Sequence, residues 1–292
     1  MPTKNDFLNQ ILTLKRKEIT ELKAENDFLT KFVKDLDSDI SDFELGKAIL
    51  KQNYNLKDLP QPVFIQKNTS KKLQLIAEIK RKSPSKGLIR ANFKVEKIAK
   101  EFVKNKVSAI SILTDKEFFG GDLTYLKKVK EKFSIPILRK DFILAKTQIL
   151  ESKENQADLI LLIMKILDDT KILELISFAI GLNLQVLIEF HNQIEIFRFE
   201  EILKALTKNI PIELLQKHLL FGINNRDLET FEVNFETCLD LKKKFPEGFL
   251  TVAESAIFEI EQLEILSQNN FDLVLIGEGL AKNEQLLKWF NR

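Results

Sequence analysis

The 292-residue chain has one cysteine, Cys238, so no internal disulfide can form, and no cluster of Cys and His stands at metal-ligand spacing. A reducing compartment suits such a chain. An excess of one charge is also missing. Lys and Arg number 45 against 43 Asp and Glu, leaving a net charge of +2 and no cationic field to attract phosphate polymers. No nucleic-acid partner is expected. The longest apolar run, 159–164, is far below the ~18 residues of a membrane crossing. The opening MPTKNDFLNQ carries Lys4, Asp6 and amides where a secretion signal would be apolar, so a soluble cytoplasmic protein is expected. A hydrophobic content of 44% over this length supplies a full core and excludes disorder for most of the chain. Phe outnumbers Tyr 23 to 2, a bias that AT-rich codons produce without selection for function.

Apolar residues Phe7, Leu8, Ile11, Leu14, Ile19, Leu22, Phe28, Leu29, Phe32 and Leu36 recur mostly at intervals of three and four, which predicts amphipathic helix over 7–36. Residues 52–72 show no period and include Pro60 and Pro62, so they read as a connecting loop. Beyond them come eight short apolar runs: 75–79, 109–113, 135–138, 159–163, 185–189, 219–223, 249–252 and 273–276. Their starts lie about 30 residues apart, enough for a strand, a helix and two loops, so each strand can run parallel to the last. Eight such units in roughly 220 residues predict an α/β chain folded as a (β/α)8 TIM barrel with an N-terminal helical extension. The expected division is 1–72 for the extension and its loop and 73–292 for the barrel. An open doubly wound sheet would carry a glycine-rich turn after its first strand, and residues 80–88 (KRKSPSKGL) hold one glycine.

In such barrels the working groups stand at the C-terminal strand ends. Here those ends carry Glu78 and Lys80 (first run), Lys140 (third), Glu189 (fifth), Asn224 then Arg226 (sixth), and Glu254 with Ser255 (seventh). Three carboxylates and three cations at one mouth must pair with each other or with a charged ligand, because an unpaired buried charge costs several kcal/mol. A self-paired rim is the plainer reading of any single one, most of all of Glu78, two residues from Lys80. After the seventh and eighth runs come Ser255, Ala256, Gly277, Glu278 and Gly279, where small residues let an anion approach backbone amides. His191, two residues beyond Glu189, could reach the mouth but reads more simply as a surface residue of a strand-to-helix loop, and His218, Trp289 and Cys238 read as helix or core positions. Phe119 and Phe142 suit either core packing or the flanks of an aromatic substrate.

Six segments together are specific. Residues 76–87 (IAEIKRKSPSKG), 111–121 (SILTDKEFFGG), 136–143 (PILRKDFI), 221–233 (FGINNRDLETFEV), 251–257 (TVAESAI) and 273–280 (LVLIGEGL) closely resemble, in the same order, those of the indole-3-glycerol-phosphate synthase family. The resemblance spans roughly residues 73–287. It implies a barrel carboxy-lyase of tryptophan biosynthesis that converts 1-(2-carboxyphenylamino)-1-deoxyribulose 5-phosphate to indole-3-glycerol phosphate, releasing carbon dioxide and water. It implies no metal and no organic cofactor and a phosphorylated small-molecule substrate, and it is compatible with a monomer in weak association with other enzymes of that pathway, the oligomeric state being left open. By resemblance Lys140 is the general acid, Glu189 and Lys80 share the later proton transfers, Glu78 orients Lys80, and Asn224 and Glu254 complete the polar network. Ser83, Pro84 and Ser85 belong to a substrate-covering loop. Phe119, Phe142, Leu161 and Leu228 contact the aromatic part, and Arg226 meets an anion or positions Asn224. Ser255, Ala256, Gly277 and Glu278 hold the phosphate.

Two positions depart from the family pattern: Ala256 stands where Gly is usual, and Asp122 where Ser is common. Since the other site residues are complete, a strained phosphate grip is not expected, and Ala256 is expected at negative φ. The rival readings are another phosphate-binding barrel, such as an isomerase of a sugar-linked anthranilate or an aldolase-like lyase, and a silent barrel kept as a scaffold. The first would lack Lys80, Lys140 and Glu189 together, and the second would not need the full set. With the chain ending at Arg292, no fused partner enzyme is expected.

Overall fold

The apolar runs fold as eight parallel strands: β1 Gln74–Ile79, β2 Ala109–Leu113, β3 Ile137–Lys140, β4 Leu159–Ile163, β5 Gln185–Phe190, β6 Leu219–Asn224, β7 Leu250–Glu254 and β8 Leu273–Ile276. This is a computed structural model, and it describes residues 4–25, 40–52, 61–68, 70, 72–84, 86–90 and 92–291. Each strand pairs with its neighbours in sequence, and β1 pairs with β8, so the sheet closes and the open-sheet alternative is set aside. The helices are α1 Lys4–Glu25, α2 Asp42–Gln52, α3 Val95–Lys104, α4 Thr124–Lys130, α5 Lys146–Glu154, α6 Asp169–Gly181, α7 Gln193–Leu206, α8 Ile212–His218, α9 Glu236–Lys242, α10 Ile260–Gln268, α11 Glu278–Lys282 and α12 Glu284–Trp289. Polar caps start some of them: Asp168 Oδ1 accepts the Lys171 amide below α6, and Asn192 Oδ1 accepts the Glu195 amide below α7.

Period-two alternation sorts the strand residues. Ile76, Leu138, Leu161, Leu187, Leu220, Val252 and Leu275 fill the barrel, while Ala77, Ile79, Ile110, Ile112, Phe221 and Ile223 pack outward against the helices. Both faces are apolar, which is why the runs read as continuous rather than alternating. Phe190, Phe199, Phe221, Phe245 and Phe249 form one aromatic cluster, mostly edge to face, with Phe221 stacked on Phe249 at 4.5 Å. Cys238 is buried in the same outer layer, and burial pushes its thiol up to about 11.

The segment before β1 does more than connect. The predicted helix over 7–36 is α1 as far as Glu25, and its remainder lies outside the described residues. Helix α2 buries Leu45 and Ile49 in the outer core. Residues 61–68 carry no regular structure, as expected of a loop, but they seal the barrel floor. Ile65 joins the interior cluster, its amide donates to Gln185 Oε1 (2.8 Å) and its carbonyl accepts from Gln185 Nε2 (3.0 Å). The Val63 amide donates to Asp158 Oδ1 at 2.7 Å. At the other end α1 lies over the mouth. Among the described residues no helix is long and apolar enough to cross a membrane.

Candidate active site

Apart from Ser85, which lies outside the described residues, every site residue singled out in the sequence lines one cleft at the C-terminal mouth. Inward-facing Glu78 of β1 accepts from Lys80 Nζ at 2.6 Å. Lys140, the last residue of β3, donates to Glu189 Oε2 of β5 (2.8 Å) and to Glu254 Oε2 of β7 (2.7 Å). Burial works against the charge of Lys140, but Glu189, Glu254 and Glu78 outweigh it and hold its pKa above the ordinary lysine value. Burial also opposes ionisation of Glu189, yet Lys140 and His191 keep it well below the usual carboxylate range. Burial pushes Glu254 the other way, up to about 7, with Glu189 and Glu78 adding to the shift and Lys140 opposing it.

Two glycines make this arrangement possible. A Cβ on Gly222 of β6 would overlap Glu254 Oε1, and one on Gly277 would overlap Glu78 Oε1, so each carboxyl occupies the space of a side chain missing from a nearby strand or strand end. Asn224 Oδ1 accepts the Arg226 amide at 3.0 Å, so it is the Asn that orders the Arg backbone. The Arg226 guanidinium lies 3.9 Å from Glu278. Phe119 and Phe142 face the cleft with ring centroids 6.3 Å apart and planes at 38°. Ser83 lies in a small hairpin in which Lys82 and Ser83 pair with Leu88 and Gly87, and its buried Oγ has no hydrogen-bond partner.

A profile of the indole-3-glycerol phosphate synthase family matches residues 8–291. The chain belongs to that family. The indole-3-glycerol phosphate synthase of Chloroherpeton thalassium is 37% identical over 285 residues, covering 96% of each chain. That of Aliarcobacter butzleri is 38% identical over 252 residues, 85% of this chain and 90% of the relative. Among solved structures, KGPDC from Streptococcus mutans superimposes with a TM-score of 0.53 over 75% of this chain and 95% of its own, at 12% identity. That likeness is one of fold.

Set beside the indole-3-glycerol phosphate synthase pattern, two expectations need correction. Ala256 does not have negative φ: it lies at +57°, after Ser255 at +64°. Asn225 Nδ2 donates to the Ser255 carbonyl (3.2 Å) and Gln262 Nε2 to the Ala256 carbonyl (2.7 Å), so the turn leaving β7 is fixed from both sides and carries a left-handed Ala at a cost of ~1 kcal/mol. His191 is no surface residue. Its side chain is 3% exposed, with Nε2 3.2 Å from Glu189 Oε1 and Nδ1 3.6 Å from Glu195 Oε2. Burial works against its charge, but Glu189 and Glu195 raise its pKa to about 9.

Sequence reasoning also missed what α1 brings. Phe7, Leu8 and Ile11 line the cleft, and Phe7 packs edge-on against Phe118 (5.1 Å) and Phe231 (5.2 Å). One turn beyond Ile11, buried Lys15 reaches Asp115 (2.9 Å) and Asp141 (3.0 Å). Asp115 Oδ1 accepts the amides of Phe118 and Phe119, and Asp141 Oδ1 accepts that of Phe142. A lysine in the i+4 and i+8 register of Ile11 and Phe7 was the available signal.

Proposed function

We propose that this chain carries out the reaction of its family, ring closure of 1-(2-carboxyphenylamino)-1-deoxyribulose 5-phosphate to indole-3-glycerol phosphate with loss of carbon dioxide and water. The observation that carries this reading is the largely buried Lys140 ammonium, pinned between Glu189 and Glu254 in the cleft that Phe119 and Phe142 also line. As the anthranilate ring carbon attacks the ribulose carbonyl, the oxygen becomes an alkoxide, a far stronger base than an amine, so Lys140 protonates it despite its raised pKa. Loss of carbon dioxide then restores the aromatic ring. Dehydration removes a hydroxyl from the new ring carbon and a proton from its neighbour. Ionised Glu189 suits the base, and Lys80, held by Glu78, suits the acid that assists the hydroxyl.

Phe119, Phe142, Leu161 and Leu228 would flank the aromatic ring, and Arg226 would face an anionic group of the substrate. The phosphate would rest on the backbone of Ser255, Ala256, Gly277 and Glu278. Acid–base groups of the chain account for each proton, and the reading calls on no metal or organic cofactor. The reading has the enzyme work in the cytoplasm on a phosphorylated small molecule. The test is incubation of the purified chain with the carboxyphenylamino deoxyribulose phosphate, following indole fluorescence. Product at a steady rate is expected, and a folded protein that forms none would overturn the reading.

A further inference from the structure

Glu189 and Glu254 both hold Lys140, yet their surroundings differ. The second oxygen of Glu189, Oε1, lies 3.2 Å from Nε2 of His191. A second carboxylate stands behind that ring. Glu195 Oε2, 3.6 Å from Nδ1, also accepts the His191 amide at 2.7 Å, and Glu195 Oε1 accepts from Asn192 Nδ2 at 2.8 Å. The second oxygen of Glu254 is buried with no hydrogen-bond partner, against the open face of Gly222. The side chains of Glu189, His191 and Glu195 are 2%, 3% and 5% exposed, so water does little to screen them.

We propose that His191 is a positioning residue: its imidazolium, backed by Glu195, keeps Glu189 ionised and in place, and so leaves Glu254 as the carboxyl on Lys140 that carries a proton near neutrality. The proposal rests on the functional reading of this cleft given above. Charge counting supports it. Lys140 and His191 supply two positive charges against the carboxylates of Glu189, Glu195 and Glu254, and the surplus negative charge falls on the one with fewest partners. The shifts run the same way, Glu254 up and Glu189 down. The charged groups facing this pair are Lys140 from β3, Glu254 from β7 and Glu195 from α7, with Glu78 from β1 acting on Lys140 and Glu254. The titration nearest neutrality in this site therefore belongs to Glu254, and its position depends on the charge of His191.

The chain has two histidines, so the ring signals of His191 are assignable by their loss in His191→Gln. In the wild type, NMR titration of the ring should show it charged beyond pH 8. A ring that is neutral at pH 7 would overturn the proposal whether or not turnover is seen. His191→Gln removes a positive charge and raises the proton affinity of both carboxyls. Its kcat should fall about tenfold with KM within about threefold, and the near-neutral ionisation in kcat/KM should move up by about half a pH unit or more. Glu195→Gln keeps the ring and removes its support, and should lower the His191 pKa. That variant decides the matter if His191→Gln fails to fold. A purely structural role would change the melting temperature and leave the ionisation in place. Unchanged pH profiles in an active, folded variant would sink the proposal alone. A wild type that makes no product would sink the functional reading, while the ring titration still reports on the charge arrangement.

Discussion

Replacing Lys15 by Met tests whether α1 is tied to the cleft by charge. The substitution keeps much of the side-chain length and leaves Asp115 and Asp141 buried without their shared cation. Burial opposes the charge of Asp141, yet Arg139, Lys15 and Thr114 outweigh it and hold its pKa at about 2, against 3.8 for a free carboxyl. That difference corresponds to ~2.5 kcal/mol of stability from all partners together. Asp141 retains Arg139 at 3.2 Å, Thr114 Oγ1 at 2.6 Å and the Phe142 amide, and Asp115 retains two amides. The loss should therefore fall below the ~3–5 kcal/mol of a fully orphaned buried charge, at about 2 kcal/mol. Urea unfolding at pH 7 measures it, and a double variant with Asp115→Asn should show coupling of ~1 kcal/mol. Because the folded pKa of Asp141 is depressed, its contribution is complete above the unfolded value of about 4 and is lost as pH falls toward 2. The gap between wild type and variant should narrow over that window. Since Asp115 and Asp141 hold the backbone of Phe119 and Phe142, KM should rise several-fold with less change in kcat. A variant within about 0.5 kcal/mol of wild type at pH 7, or a gap that does not narrow in acid, would refute the ion-pair account.

Lys140→Met should lower kcat by at least ~10²-fold in a folded protein, and near-native turnover would move the acid role to Lys80. Ala256→Gly exchanges ~1 kcal/mol of left-handed strain for added unfolded-state entropy and a lost buried methyl, so stability by thermal melt should change by less than about 0.5 kcal/mol. Its KM should fall about twofold or more, and a higher KM would contradict the strained-grip account. Gly222→Ala forces Glu254 off its position, and should cost ~1–3 kcal/mol and about tenfold or more in kcat. Full activity in that variant would show that the carboxyl position is not critical.

The barrel was legible because strands buried on both faces read as unbroken apolar runs, and the site because charges recur where those runs end. The third strand shows the limit. Its apolar run suggests 135–138, but the strand is Ile137–Lys140, since Asp141 and Glu151 on Arg139, and Glu189 and Glu254 on Lys140, let two charged residues continue the ladder. What stayed hidden depends on partners distant in sequence. Nothing local shows that Lys15 meets Asp141 or that Gln185 bonds Ile65 to close the floor. The backbone sign at Ala256 is set by Asn225 and Gln262, and no property of alanine announces it.

Helix α1 precedes the barrel in the chain, and its partners outside the helix come much later: Asp115, Phe118 and Asp141, then Phe231. During synthesis Lys15 has only Glu18, within its own helix, as a counter-charge until Asp115 and then Asp141 have been made, and Phe7 finds its last ring neighbour only after the sixth strand. The closure entropy of these long loops is offset only when most of the barrel already exists. The roof of the cleft is thus translated first and seated late. A nascent chain stopped near residue 140 should leave α1 open to proteolysis, whereas one extended past 235 should begin to protect it.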